Sequence, residues 1–173
     1  MTKQNIRKIL ALFSMLGLLA VSVQAQRIAY VKVNDILESL DEYQAAQKEL
    51  DRLAQRWRQD IAQEYDEIKG MYNRYQAEQV LLSEDERKRR EEEIMAKEKE
   101  VRDLQKAKFG PEGELFKRRQ DLVRPIQDRV YAAIEEYAQE RGYDFIFDKS
   151  GSAGMIFSNP SYDKTEDVMK KLK

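Results

Sequence analysis

The segment Asp41–Leu82, DEYQAAQKELDRLAQRWRQDIAQEYDEIKGMYNRYQAEQVLL, decides the fold. Within it Tyr43, Ala46, Leu50, Leu53, Trp57, Ile61, Tyr65, Ile68, Tyr72, Tyr75, Gln79 and Leu82 follow one another at intervals of three or four residues. The mean spacing lies near the 3.5 of a coiled coil, with a stutter between Trp57 and Tyr65. The reading is one helix of about 42 residues, roughly 60 Å long at 1.5 Å per residue. A rod of that length with a single apolar stripe needs a partner along it.

The partner comes next in the chain. In Leu82-Ser83-Glu84-Asp85-Glu86 the Ser83 hydroxyl is spaced to accept from the Glu86 N–H, and the Glu86 carboxylate to accept from the Ser83 N–H. A second helix starts there with almost nothing before it, so the chain turns back as an antiparallel helical hairpin with its tip near Ser83. The returning helix is poor in apolar residues: from Glu84 to Lys108 the inward candidates are Ile94, Val101 and Leu104. Arg87-Lys88-Arg89-Arg90 followed by Glu91-Glu92-Glu93 reads as a solvated face with i,i+4 pairing; a docking patch for anionic lipid or client is the alternative.

Phe109-Gly110-Pro111-Glu112-Gly113-Glu114 then stops and restarts the helix, because proline disfavours helix in the residue before it and suits the first turn of a new one. With the tip at Ser83, Phe109 falls opposite Trp57, where bulky rings can fill the space the break opens. Gly110, Pro111 and Gly113 are hinge candidates, a static kink being the other reading. The stripe resumes through Leu115, Leu122, Ile126, Val130, Ala133, Ile134 and Tyr137, with Pro125 as a second break and Gly142 as the residue that closes the helix.

Short β-forming segments flank the hairpin. Arg27–Val33 reads as a strand and about Asp35–Leu40 as a short helix. Beyond the hairpin, Tyr143–Phe147 reads as a strand, Lys149–Ser152 as a turn and Ala153–Phe157 as another strand. Asp163–Leu172 is a last helix with Asp163 and Glu166 at capping-box spacing. The expected class is α+β: a helical hairpin, residues 41–125, on a small β-rich body built from residues 26–40 and 126–173.

Ahead of the body, Lys3, Arg7 and Lys8 precede an apolar run from Ile9 to Val23 that ends in Val23-Gln24-Ala25. That is the pattern of a cleaved signal peptide, 1–25, and the run is short of the roughly 20 residues of a membrane span. Its removal takes three of the 31 Lys+Arg and none of the 32 Asp+Glu, leaving a net charge of −4. Such a chain has no general attraction to nucleic acid, and contact with anionic membrane is doubtful. The sequence has no cysteine and no histidine. Neither a disulfide framework nor the common general base, thiolate nucleophile and transition-metal ligands are available. No catalytic residue, metal site or cofactor is expected.

The order strand, short helix, long hairpin, two strands, terminal helix resembles the OmpH-like periplasmic chaperones. The resemblance rests on Arg27–Leu37 (RIAYVKVNDIL), Tyr43–Leu50 (YQAAQKEL), Leu82–Glu86 (LSEDE), Gly142–Lys149 (GYDFIFDK) and Asp163–Leu172 (DKTEDVMKKL). It implies a periplasmic homotrimer whose strands form a shared body and whose hairpins enclose a cavity that holds unfolded outer-membrane β-barrel precursors without ATP. The residues themselves agree on association, since a few short strands make a sheet too small and too open-edged to stand alone. Ile28, Tyr30, Val31, Phe145, Ile146, Phe147, Ile156 and Phe157 are the interface candidates, and the count of three rests on the family. For a holdase the client contacts would be Tyr65, Met71, Tyr72, Tyr75 and Met95; packing between the helices is the other role open to the tyrosines, while Met71 lies beside the stripe.

An exported coiled-coil tether of the envelope fits the composition equally, although a spacer gains nothing by folding back. Binding to a mixture of unfolded clients rather than to one stoichiometric partner separates the two. An enzyme would need a concave, partly dry site that exposed helix surfaces do not supply.

Overall fold

A computed structural model describes residues 26–151 and 154–173; the expected signal peptide, 1–25, lies outside the described residues. The elements are β1 (Ile28–Val31), α1 (Val33–Glu38), α2 (Asp41–Glu78), α3 (Glu84–Phe109), α4 (Glu114–Arg141), β2 (Phe145–Asp148), a 3-10 turn (Pro160–Tyr162) and α5 (Thr165–Leu172). The expected class and element order hold, with one strand fewer among the described residues.

β1 and β2 pair in parallel, Ile28 beside Phe145 and Val31 beside Asp148. Parallel strands need a crossover connection, and here the whole hairpin is that connection. Ala29 and Val31 point inward, and Ile146 packs behind them. Val31 and Ile146 meet Ile36 and Leu37 of α1, Val130 and Tyr137 of α4 and Val168 of α5 in one core that reaches up the arm's root to Leu50 and Val123. Burial of these aliphatic side chains is worth roughly 1.5–3 kcal/mol each.

α1 begins two residues earlier than expected, because its caps come from far away in the chain. The Val33 N–H donates to Asp148 Oδ1 (3.1 Å), the Asn34 N–H to Ser150 Oγ (3.1 Å) and the Lys32 N–H to Thr165 Oγ1 (3.0 Å). These satisfy donors that a helix start leaves unpaired, and they stitch the two ends of the chain together.

Three further expectations are corrected. Gly154–Phe157 forms no strand: it pairs with neither strand of the sheet, and Ile156 and Phe157 stand in solvent. Pro125 does not break α4, which runs on to Arg141: Val123 and Ile126 are both buried on the base, and that burial outweighs the lost hydrogen bond. The last helix starts at Thr165 rather than at Asp163, whose carboxylate accepts from the Thr165 N–H (2.9 Å) and hydroxyl, so Glu166 takes no part in a capping box.

The hairpin turns near Ser83 as expected, but α2 ends at Glu78, four residues short of the expected Leu82, and residues 79–83 make the turn. Ser83 N–H donates to Glu86 Oε2 at 2.9 Å and Glu86 N–H to Ser83 Oγ at 3.4 Å, closing the expected box. Gly142 closes α4 with φ +64°, a conformation glycine adopts at no steric cost.

Asp148→Ala removes the acceptor for both Val33 and Ser150 N–H groups and is expected to cost about 1–2 kcal/mol. A lowered urea midpoint with unchanged slope checks it; an unchanged midpoint would mean that water replaces the cap.

Candidate interaction surfaces

Exposed apolar residues gather on the outer face of the small sheet and on the far half of the arm, with Phe116 and Tyr131 on α4, Ile156 and Phe157 after β2 and Tyr162 in the 3-10 turn exposed outside both. On the sheet, Ile28, Phe145 and Phe147 face outward and are exposed, and the two phenyl rings stack with centroids 6.3 Å apart. Tyr30 shares that face, but Lys149 Nζ lies 4.9 Å over its ring and the Lys164 N–H donates to its carbonyl, so it is buried. Val31 is buried on the opposite face and Ile146 is half-buried there. Of the eight interface candidates, Tyr30, Val31 and Ile146 are therefore largely used inside the protomer. The accessible set is Ile28, Phe145 and Phe147, together with Ile156 and Phe157.

Along the arm the seam between α2 and α3–α4 changes character with distance from the base. At the break Trp57 meets Phe109 edge to face, ring centroids 6.1 Å apart, as the facing positions required. Lys108 Nζ sits 4.7 Å over the indole and also pairs with Glu114 across the break. Gly110 and Gly113 have ordinary negative φ values; what the joint needs is their lack of a side chain. A Cβ at 110 would stand 2.4 Å from the Lys106 carbonyl oxygen, and one at 113 would meet three backbone atoms at 2.9 Å. Pro111 between them is exposed. Of the three hinge candidates, the two glycines are thus closely packed against backbone and Pro111 lies on the surface.

Beyond the joint lies a second, small cluster of Ile61, Ile68 and Val101, with Leu104 and Phe109 against it. Beside this cluster and beyond it the seam is largely polar. The Tyr65 hydroxyl, level with the cluster, donates to Gln105 Oε1 (3.3 Å); farther out that of Tyr72 donates to Glu98 Oε1 (2.9 Å) and that of Tyr75 to Glu91. Lys97 Nζ reaches across to Glu64 at 2.6 Å and Glu67 at 3.4 Å, and these bonds raise its pKa. The tyrosine rings of Tyr65 and Tyr72 stay exposed while their hydroxyls tie the helices. Met71 is half-buried in a cleft with Tyr75 and Ile94, and Met95, beside the buried Ile94, is exposed.

Sequence reading missed one pair altogether: Val80 and Leu81 at the tip, 84% and 85% exposed. Only Leu82 belonged to the stripe. The signal was present in the apolar run Val80-Leu81-Leu82, where a turn ordinarily carries polar residues.

A compact strand base with one long broken hairpin is the geometry that the comparisons meet. The model of the outer membrane protein (OmpH-like) family matches residues 27–172. The chain belongs to the OmpH-like family. The chaperone protein Skp of Yersinia enterocolitica is 28% identical to it over 159 residues, 88% of this chain and 89% of that protein. Among solved structures, an OmpH-like protein from Caulobacter crescentus matches with a TM-score of 0.68 over 86% of this chain and 84% of its own, at 14% identity. That likeness is one of fold.

Each hydrogen bond to a carboxylate raises the phenol pKa of its tyrosine, to Glu98 for Tyr72 and to Glu91 for Tyr75, above the ordinary 10.0. A raised value favours the neutral phenol in the folded arm. Its share of stability is whole below the unfolded value of 10.0 and lost as pH rises through the folded one. In the base, burial and then the Asp167 carboxylate push Tyr137 to about 12. Phenolate absorbance should therefore rise later in the native protein than in urea, and Tyr72→Phe with Tyr75→Phe should remove part of the late fraction. Coincident titrations in native and unfolded protein would contradict these bonds.

Proposed function

We propose that the mature chain is an ATP-independent holdase of the periplasm that associates through its base as a homotrimer and shields unfolded outer-membrane β-barrel precursors between its arms. The observation that carries this reading is the outward apolar face of the base. A two-stranded sheet with open edges leaves Ile28, Phe145 and Phe147 exposed, and beside the sheet in sequence the β-forming Ile156 and Phe157 have no partner in the protomer. Copies joined through this face would cover those side chains and give the edges strands to pair with.

The arms then project from a common body. α2 alone has 38 residues, about 57 Å at 1.5 Å per residue. Their far halves, held by polar ties with few buried apolar contacts, can separate at small cost and adapt to clients of different size. A relative that bears the name chaperone along most of its length supports the same activity. Export through a cleaved signal peptide, with Gln26 as the new first residue, would deliver the chain to the compartment where such precursors cross.

Light scattering of the mature protein should give three times the chain mass, and a urea-unfolded β-barrel protein diluted into it should stay soluble without nucleotide. Phe147→Asp places a charge on the face to be covered, at a cost of several kcal/mol per assembly, and should release monomers. A monomeric wild type, or a variant of unchanged mass and stability, would overturn the assembly through the base.

A further inference from the structure

Val80 and Leu81 stand at the extremity of the arm, and the turn does not need them. The bond that closes it, from the Leu81 N–H to the Glu78 carbonyl (2.8 Å), is made by backbone and serves any side chain. Single exposed apolar residues are ordinary on protein surfaces; an adjacent pair, each more than four-fifths exposed, at the end of a highly charged arm is out of keeping with its surroundings. We infer that Val80 and Leu81 are the arm's docking point for unfolded polypeptide, taking aliphatic and aromatic side chains of a client as it enters or leaves the space between arms.

The choice of occupant follows from size, charge and place. Two side chains fall far short of the roughly 800 Å² per partner that a stable folded interface buries. A contact this small becomes useful when several arms present it and one extended chain offers many apolar residues, so that weak contacts add through multivalency. Charge of both signs surrounds it: Glu78, Glu84, Asp85 and Glu86 flank the pair in sequence, and Arg87, Lys88, Arg89 and Arg90 follow within the next turn. Client segments of either sign therefore find a counter-charge, whereas an anionic lipid surface would meet the carboxylates that are nearest the apolar pair in sequence. The tip also lies at the opposite end of the arm from the base sheet, so assembly through the base leaves it open.

This inference rests on the holdase reading, and the test separates the two. The probe is a urea-unfolded eight-stranded outer-membrane barrel protein, with binding followed by fluorescence and aggregation by scattering. Val80→Ser/Leu81→Ser in the full mature protein should keep the wild-type mass and melting curve, yet bind the probe about fivefold or more weakly, since each 1.4 kcal/mol is tenfold. A photo-crosslinking side chain at position 81 should capture the probe, while one at the polar Lys99 should capture it less. If wild type itself fails to bind, the holdase reading falls. If wild type binds and the variant binds equally, with no capture from position 81, the tip is not the docking point. Vesicle binding of wild type to phosphatidylglycerol that the variant loses, with probe affinity unchanged, would assign the pair to lipid and overturn the inference.

Discussion

The structure depends on pairing residues 28–31 with residues 145–148. Two four-residue strands lying parallel must be joined by a crossover, and in this chain everything between them becomes the arm. The pairing brings Asp148, Ser150 and Thr165 to the start of α1, where each accepts a backbone N–H that would otherwise have no partner. It also turns Ala29 and Val31 inward, Val31 into one core with Val130 and Val168, all four nearly inaccessible to solvent. The cost of closing so long a loop grows only logarithmically with its length, so a compact core at its neck can hold it.

From that neck outward, apolar burial declines and polar contact replaces it. The base core reaches Leu50 and Val123, the aromatic joint follows at Trp57 and Phe109, and a small aliphatic cluster ends at Ile68 and Val101. The Lys97 ion pairs run beside that cluster, and past it come tyrosine hydroxyls on carboxylates and the buried Ile94. Exposed polar ties contribute little net stability because water competes for each of them. The arm is therefore firm where it meets the base and soft toward its tip, which is the property that the proposed holdase function asks of it.

The hairpin was legible because its signals are local. The stripe from Tyr43 to Tyr75, the Ser83–Glu86 box, the Phe109–Gly113 interruption and Gly142 each act within a turn or two of helix, and each sits where the spacing put it. Pro125 was misread because the burial that overrides it comes from tertiary packing of Val123 and Ile126. The start of α1 was misplaced for the same reason: its caps lie more than a hundred residues away. Gly154–Phe157 has the composition of a strand, and composition does not state whether a segment docks on an edge within its own chain. Val80 and Leu81 escaped notice because periodicity asks which residues face inward and is silent about apolar residues that face nothing.

The graded firmness of the arm is the claim most open to direct measurement, by residue-resolved amide exchange on the mature protein. Protection should be greatest around Ile36 and Val130, intermediate at Ile61–Ile68 and Val101, and least among helical residues from Met71 to the tip and back to Ile94. Exchange of the whole arm at a single rate, or in step with the base, would contradict the account.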